Sequence, residues 1–256
     1  MQDKANNVAA LVLMASLLTS GCASTPVAQS DGANDPYEGM NRKVYAFNDT
    51  LDRSIFEPVA RGYAKVTPDL VRTGVTQFFD NASYLNVIVN DLLQAKGTDF
   101  ASDTGRFLVN STVGIGGLFD PATKVGLPEH EEDLGQTFGT WGAGEGAYLV
   151  VPFLGPNSIR DLPDAASSTF LNPMTYLNGI GGIVTIPLGV LNAVNKRANL
   201  LEATSIRDQA ALDPYTFVRE AYRQQREYKI YDGNPPGEGF DDYLDDKADK
   251  AILKIY

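Results

Sequence analysis

"LNGIGGIVTIPLGVLNAV", residues 177–194, holds no charged side chain, yet Gly179, Gly181, Gly182 and Pro187 interrupt it. The stretch lies within residues 165–195, a run of 31 uncharged residues bounded by Arg160, Asp161 and Asp164 before it and by Lys196 and Arg197 after it. As one helix, the run would be long enough to cross a bilayer. Pro187 lacks an N–H and biases Ile186 away from helix, and each glycine costs about 1 kcal/mol relative to alanine, so a continuous helix is not expected. Broken backbone facing lipid would strand polar groups, so at membrane depth it must pack on protein or line a wet cavity. If the glycines mark a bend, two arms of roughly 13 residues rise about 20 Å each and suit one leaflet rather than two. The expectation is a re-entrant hairpin over residues 169–195, with Ile180, Ile183, Val184, Ile186, Pro187 and Leu188 embedded. The alternative is a buried helix pair in a soluble core.

The charge map around this stretch is equally uneven. Residues 134–195 contain four ionisable side chains in 62 positions, Glu145, Arg160, Asp161 and Asp164, whereas residues 196–256 contain 22 in 61. The chain of 256 residues is long enough to bury a core, with 43% hydrophobic residues and 24 glycines. Its net charge of −11 does not supply the basic surface that phosphate backbones require, which excludes nucleic acid as a partner.

At the N-terminus, Val8 to Leu18 is uncharged and ends in Leu18-Thr19-Ser20-Gly21-Cys22, an apolar core too short to span a bilayer. Cys22 is the only cysteine, so it has no disulfide partner within the chain. The ending resembles a bacterial lipobox, with Thr19 where Leu is usual. Residues 1–21 are then a lipoprotein signal peptide, and Cys22 carries the acyl chains. Each buried methylene adds roughly 0.8 kcal/mol, so two or three chains anchor stably where one would not. Residues 22–34 are polar and small and fit a flexible tether.

The body begins at Asp35. Asp35-Pro36-Tyr37-Glu38 has the form of a capping box, and Tyr37, Met40, Val44, Phe47, Leu51 and Ile55 recur at helical spacing. Thr67-Pro68-Asp69 starts a second helix, residues 82–95 and 99–112 suggest two more, and Asp213-Pro214-Tyr215 starts another near the end. On that last helix Arg219, Arg223, Arg226 and Lys229 form a row whose simplest meaning is a solvated face. Strand signals are limited to short runs such as Tyr148 to Phe153. The fold is expected to be mostly α, with little β structure.

Catalysis finds little support. His130 is the only histidine, in the acidic run Pro128-Glu129-His130-Glu131-Glu132-Asp133, which is expected to be exposed; one histidine cannot build a histidine metal site. The acidic run lacks the spacing of an EF-hand loop. The glycines at 114–117 and 142–146 fit neither dinucleotide nor P-loop motifs and suit closely packed or flexible backbone. Asp161 and Asp164 are expected to cap helices or face solvent. No metal or cofactor is expected, and no enzymatic activity.

Several separated motifs, in one order, resemble the MlaA/VacJ outer-membrane lipoproteins. They are Asp35-Pro36-Tyr37-Glu38-Gly39-Met40-Asn41-Arg42 with Tyr45, Phe47 and Asn48; Arg106-Phe107 with Asn110-Ser111, Gly114, Gly116, Gly117 and Asp120; Gly135-Gln136-Thr137-Phe138-Gly139 with Trp141-Gly142, Gly144, Gly146 and Tyr148; Pro152-Phe153 with Gly155-Pro156 and Arg160-Asp161; and Asp213-Pro214-Tyr215 with Arg219-Glu220-Ala221-Tyr222 and Arg226. The resemblance covers residues 35–231 and leaves residues 232–256 as an acidic tail expected to be disordered.

The resemblance implies a helical, ring-like body embedded in one leaflet of the outer membrane of a Gram-negative bacterium, with an amphipathic channel through it. It implies removal of misplaced phospholipid from the outer leaflet, beside a trimeric porin, and delivery to a periplasmic carrier protein. Expected channel linings are Asn81, Asn86, Asn110 and Ser111, and the glycine-rich run 135–146 with Gly139, Gly142, Gly144 and Gly146, where small side chains leave room. The asparagines and Ser111 could equally cap helices. The alternative function is a structural lipoprotein that binds porin or envelope components and moves no lipid.

If Cys22 carries the anchor, Cys22→Ala should leave an uncleaved form or one released to the periplasm, read by fractionation and acyl labelling. Normal retention and acylation of the variant would exclude the lipobox reading.

Overall fold

The computed structural model describes residues 35–180 and 182–236, excluding the side chains of residues 177–183 and 210. Residues 1–34 with Cys22, the tail from residue 237, and the side chains of Ile180 and Ile183 lie outside the described residues.

Helix α1 (Glu38–Leu51) buries Asn41 and leaves Met40 and Phe47, members of its apolar stripe, about half exposed. The chain stays helical through a π-helical turn, Asp52–Phe56, into α2 (Glu57–Val66), and the Glu57 N–H bonds to Asp52 O, five residues back. Pro58 accounts for the turn. It has no N–H to donate to the preceding turn, so the helix closes in the wider register just before it.

The Asp35 carboxylate is not the expected helix cap: Tyr37 occupies that position and makes no side-chain cap bond. Asp35 is instead buried, where it accepts from Asn41 Nδ2 at 2.7 Å and from the Tyr215 hydroxyl and lies 3.5 Å from Arg219. A single aspartate thus joins the first and last helices.

Helix α3 (Asp69–Leu93) is one element of 25 residues where the sequence suggested two, because its length contains no proline and only Gly74. It turns through Ala95, at φ 59°, into α4 (Gly97–Thr112), and the two pack side by side. Of the glycines after α4, Gly114 and Gly117 are closely packed and Gly116 is not. A Cβ on Gly117, at φ 92°, would lie 2.4 Å from Asn81 Cβ. Two short helices follow, α5 (Pro121–Lys124) and α6 (Leu134–Thr140), with Asp120 and Asp133 as their N-caps.

The expected strand is β1 (Tyr148–Val151), and it pairs antiparallel with β2 (Gly155–Ser158), Tyr148 opposite Ser158 and Val151 opposite Gly155. Two asparagines of α1, two turns apart, grip β1. Asn41 donates to Tyr148 O at 3.0 Å and accepts from Val150 N at 2.9 Å, while Asn48 donates to Val151 O and accepts from Phe153 N, both at 3.0 Å. A carboxamide carries one donor face and one acceptor face, so each stands in for a peptide unit of a neighbouring strand. Tyr148, Val150 and Tyr215 form the apolar cluster beneath, with Tyr45 packing edge-on to Tyr215 at 5.8 Å.

The uncharged run becomes α7 (Leu162–Leu171), a 3-10 segment (Pro173–Ile180) and α8 (Gly182–Asn199). It is not a single helix, as expected, but the position of Pro187 is a correction. Pro187 sits inside α8, which continues through it with the proline exposed, while the interruption falls between Leu171 and Gly182. The missing N–H removes one bond from a helix that α2 and α3 hold from the side. Asn195 fastens that contact, accepting from the Tyr63 hydroxyl at 3.0 Å and donating to Thr76 at 2.7 Å. Among the described residues no helix is long and apolar enough to cross a membrane.

Helices α9 (Leu201–Ala210) and α10 (Pro214–Ile230) close the body, the latter capped by Asp213 as expected. Its basic row is a second correction. Arg219 and Arg226 are largely buried and face carboxylates: Arg226 binds Asp133 through two nitrogens and Asp161 at 3.1 Å, Arg223 lies 3.5 Å from Glu145, and Lys229 lies 2.5 Å from Glu131. Asp161 is accordingly buried rather than solvated.

Polarity runs opposite to a water-soluble domain. Among the described residues, sixteen polar or charged side chains are buried against eight apolar or aromatic ones, while Val66, Leu70, Phe153, Phe170 and Ile186 are each at least two thirds exposed. Asn41→Ala strands Tyr148 O, Val150 N and one Asp35 oxygen without a partner. Each such group costs about 1–3 kcal/mol, so the variant should lose at least about 3 kcal/mol, read by denaturant unfolding; a loss under 1 kcal/mol would show that the clamp is not what holds β1.

Candidate functional site

The inner face of α3 is polar at helical spacing, at Ser83, Asn86 and Asn90, and the C-cap residue Gln94 continues it. Asn90 donates to Asn86 O at 2.8 Å and accepts from Thr137 at 2.7 Å, tying α3 to α6. Asn86 reaches α7, donating to Asp164 at 3.3 Å and accepting from Ser167 at 3.2 Å. Gln94 donates to Glu132 at 2.6 Å, and Lys96 holds the other oxygen of that carboxylate at 2.7 Å.

A cavity of about 260 Å³ opens against this face, walled by Asp80, Ser83, Tyr84 and Asn86 on one side and by the 129–133 loop, Gln136 and Lys229 on the other. A second, of about 560 Å³, lies beyond the same loop and shares Glu129, His130, Glu131, Glu132 and Lys229 with the first. A third, of about 340 Å³, lies between α3 and α8 and is lined by Phe79, Met174, Leu188, Thr185 and Asn192. Its neighbour Asn172 donates to Ser83 of the first cavity at 3.3 Å. The first two cavities thus share a wall, the first and third are linked through that hydrogen bond, and their linings run from mixed apolar and polar residues on the uncharged run to strongly acidic ones by α10.

The 129–133 loop is only in part the exposed acidic loop that its composition suggested, with Glu129 and Glu131 exposed. Glu132 is buried, and His130 is half-buried with Nδ1 2.9 Å from Asp103 Oδ2, whose other oxygen accepts from the Tyr84 hydroxyl at 2.8 Å. Asp103 and Asp91 are both fully buried, and neither oxygen of Asp91 accepts a hydrogen bond from a described donor. Burial, and then the neighbouring Asp103 carboxylate, push Asp91 up to about 7. Burial would also raise Asp133, but the Arg226 hydrogen bonds and charge outweigh it and hold that carboxyl at about 2. Burial raises Asp80 and Glu129.

A family model described as MlaA lipoprotein matches residues 33–229. The chain belongs to the MlaA lipoprotein family. It is 32% identical over 253 residues to the intermembrane phospholipid transport system lipoprotein MlaA of Escherichia coli K12, covering 93% of this chain and 97% of that protein. A Haemophilus influenzae protein of the same name is 28% identical over 226 residues, covering 86% and 89%. An uncharacterized Rickettsia felis protein is 38% identical over 199 residues, covering 77% and 78%. A solved chain described under the structural basis for maintenance of bacterial outer membrane lipid asymmetry superposes with a TM-score of 0.67 at 30% identity, covering 77% of this chain and 98% of that one.

Many of the MlaA motif residues are those that hold this fold together: Asp35, Asn41 and Asn48 on α1, Arg106 on Asp120 at 2.8 Å, and Arg226 on Asp133 and Asp161. Of the expected channel linings, Asn86 lines the first cavity. Asn81 donates to Ser111 at 3.0 Å, and Asn110 donates to Asp120 and accepts from Ala122 N, both at 3.1 Å, so these three bind α3, α4 and α5 together. Gly139 packs under Ile230 and Gly146, at φ 72°, against Ile159, whereas Gly142 and Gly144 have open space where a Cβ would stand. Leu188 lines the third cavity, and Val184 and Ile186 are exposed on α8. The sequence reading missed Asp80, Tyr84, Asp91 and Asp103, which fall on α3 or α4, whereas Gln136 lies within the run 135–146 expected to line a channel.

The folded chain retains a proton at Asp91 that the unfolded chain releases above about pH 4. Stability from this group is therefore lost as pH rises from about 4 through 7. Asp91→Asn should flatten the unfolding midpoint across that window; an unchanged pH profile would mean that Asp91 is ionised in the fold.

Proposed function

We propose that this chain withdraws phospholipids misplaced in the outer leaflet of the outer membrane and passes them, unchanged, to a soluble periplasmic carrier. The carrying observation is the reversal of polarity: a hydrogen-bonded polar interior with adjoining cavities, inside a surface that presents Val66, Leu70, Phe170 and Ile186 outward. Family membership supports the same reading, since relatives that span nearly this whole chain are named as intermembrane phospholipid transport lipoproteins.

The physical problem is a two-tailed amphiphile whose headgroup is costly to move through hydrocarbon. In this reading the headgroup enters by the third cavity, where Asn172, Thr185 and Asn192 offer polar atoms beside Phe79, Met174 and Leu188, and moves along the polar face of α3. The tails stay on the apolar rim. The body sits in one leaflet with acylated Cys22 as its tether. Residues 169–195, including Ile180, Ile183, Val184, Ile186, Pro187 and Leu188, enter that leaflet and return to the same face beside a trimeric porin. The break between Leu171 and Gly182 supports such a return.

Ile186 is 67% exposed, so Ile186→Asp in water would change stability by no more than about 0.5 kcal/mol. Within a leaflet the same charge costs about 2.5–3.5 kcal/mol on insertion scales. The variant should fold normally in detergent yet partition about 100-fold less into vesicles and restore outer-leaflet phospholipid removal poorly in cells lacking the protein. Full membrane association with no phospholipid movement in the wild type would favour the structural lipoprotein instead.

A further inference from the structure

The first cavity is more acidic than its ion pairs can balance. Lys96 is shared between Glu132 at 2.7 Å and Asp232 at 2.5 Å. Arg226 is shared between Asp133 and Asp161, and Arg106 between Asp120 at 2.8 Å and Glu129 at 3.4 Å. Only Lys229, on Glu131, belongs to the lining itself. Each of the three other cations thus serves two carboxylates, and the wall keeps an excess of negative charge.

Two acceptors on that wall have nothing to accept. Asp80 makes no hydrogen bond or ion pair among the described residues, and burial disfavours its charge. Gln136 is 1% exposed, and its Oε1 has no partner. The amide cannot simply turn over, because its Nε2 is engaged at 3.1 Å by both Glu131 O and Asp133 Oδ2, which only a donor can satisfy. Gln136 Oε1 is thus left able to accept from a ligand that supplies a donor.

We infer that this cavity receives a primary ammonium, and that the chain therefore prefers phospholipids with an ethanolamine headgroup over anionic ones. The inference rests on the transport reading above and adds the chemical class of lipid. An ammonium brings three N–H donors and a positive charge to Asp80, which has no donor and is opposed only by the charge of Lys196 beyond ion-pair distance, and to Gln136 Oε1, which has no donor. A glycerol headgroup brings no compensating charge, so its phosphate meets the acidic wall directly.

The test measures removal of lipid from vesicles by the acylated protein, with either phosphatidylethanolamine or phosphatidylglycerol as labelled cargo in a common neutral background. The wild type should favour the ethanolamine lipid at least fivefold. Asp80 makes no hydrogen bond or ion pair among the described residues, so Asp80→Asn removes charge without removing such a bond; the preference should shrink below twofold, and Asp80→Lys should invert it. Equal handling of the two lipids by the wild type, or an unchanged preference in both variants, overturns the inference while transport stands. No movement or retention of either lipid removes the transport reading and this inference together. Free ethanolamine at millimolar concentration should leave the preference intact; its abolition would reassign the cavity to a free amine rather than a lipid headgroup.

Discussion

Burying a carboxamide or carboxylate is favourable only where the donors and acceptors around it are met, and this fold meets that condition at most of its buried polar side chains. Asp35, Asn41, Asn90, Asp103, Asp161 and Arg219 occupy positions that aliphatic side chains take in a water-soluble domain of this size. Their bonds gain strength from low local polarity, and the same low polarity makes each unmet group expensive. The hydrophobic effect, which ordinarily supplies most of the driving force, is left with a small aromatic cluster around Tyr148 and Tyr215. Long-range hydrogen bonds between segments 100 or more residues apart do the joining instead, as in the grip of Asn41 and Asn48 on β1.

The same condition explains why cations sit between pairs of carboxylates. A guanidinium has five donors in a fixed fork and can satisfy two acids at once, as Arg226 does with Asp133 and Asp161. Sharing keeps the backbone of the structure satisfied with few cations, but it leaves net negative charge along the interior. Asp91 shows one way to relieve that charge, by keeping a proton, and the vacant acceptors at Asp80 and Gln136 mark the place where it is left unrelieved.

Much of the architecture was legible in the sequence, and most of the failures have one cause. Pro214 after Asp213, the strand at Tyr148 and the interruption of the uncharged run were readable because proline, glycine and β-branched residues act locally. The row Arg219, Arg223, Arg226 and Lys229 was assigned to solvent, and the stripe Met40, Phe47 and Ile55 carries no label saying which way it faces. Periodicity reports that a helix has two faces; it does not report which one meets the interior. Where the outside is apolar, that assignment inverts, so Asn86 could be proposed from its residue type while Tyr84, Asp91 and Asp103 were passed over. Pro187 was taken as a helix stop, which holds for an isolated helix but not for one pinned by Asn195 to α2 and α3.

The outward aliphatic surface also decides what a stability measurement on this chain means. Leu70 and Val66, each 78% exposed, offer amphiphiles a binding surface on the native state. Anything that binds the folded form in preference to the unfolded one adds a term that grows with the logarithm of its free concentration. Detergent or lipid is then a linked ligand rather than a medium. Transition temperatures recorded at different micelle concentrations belong to different thermodynamic systems, and the chain has no intrinsic unfolding free energy apart from the amphiphile that surrounds it.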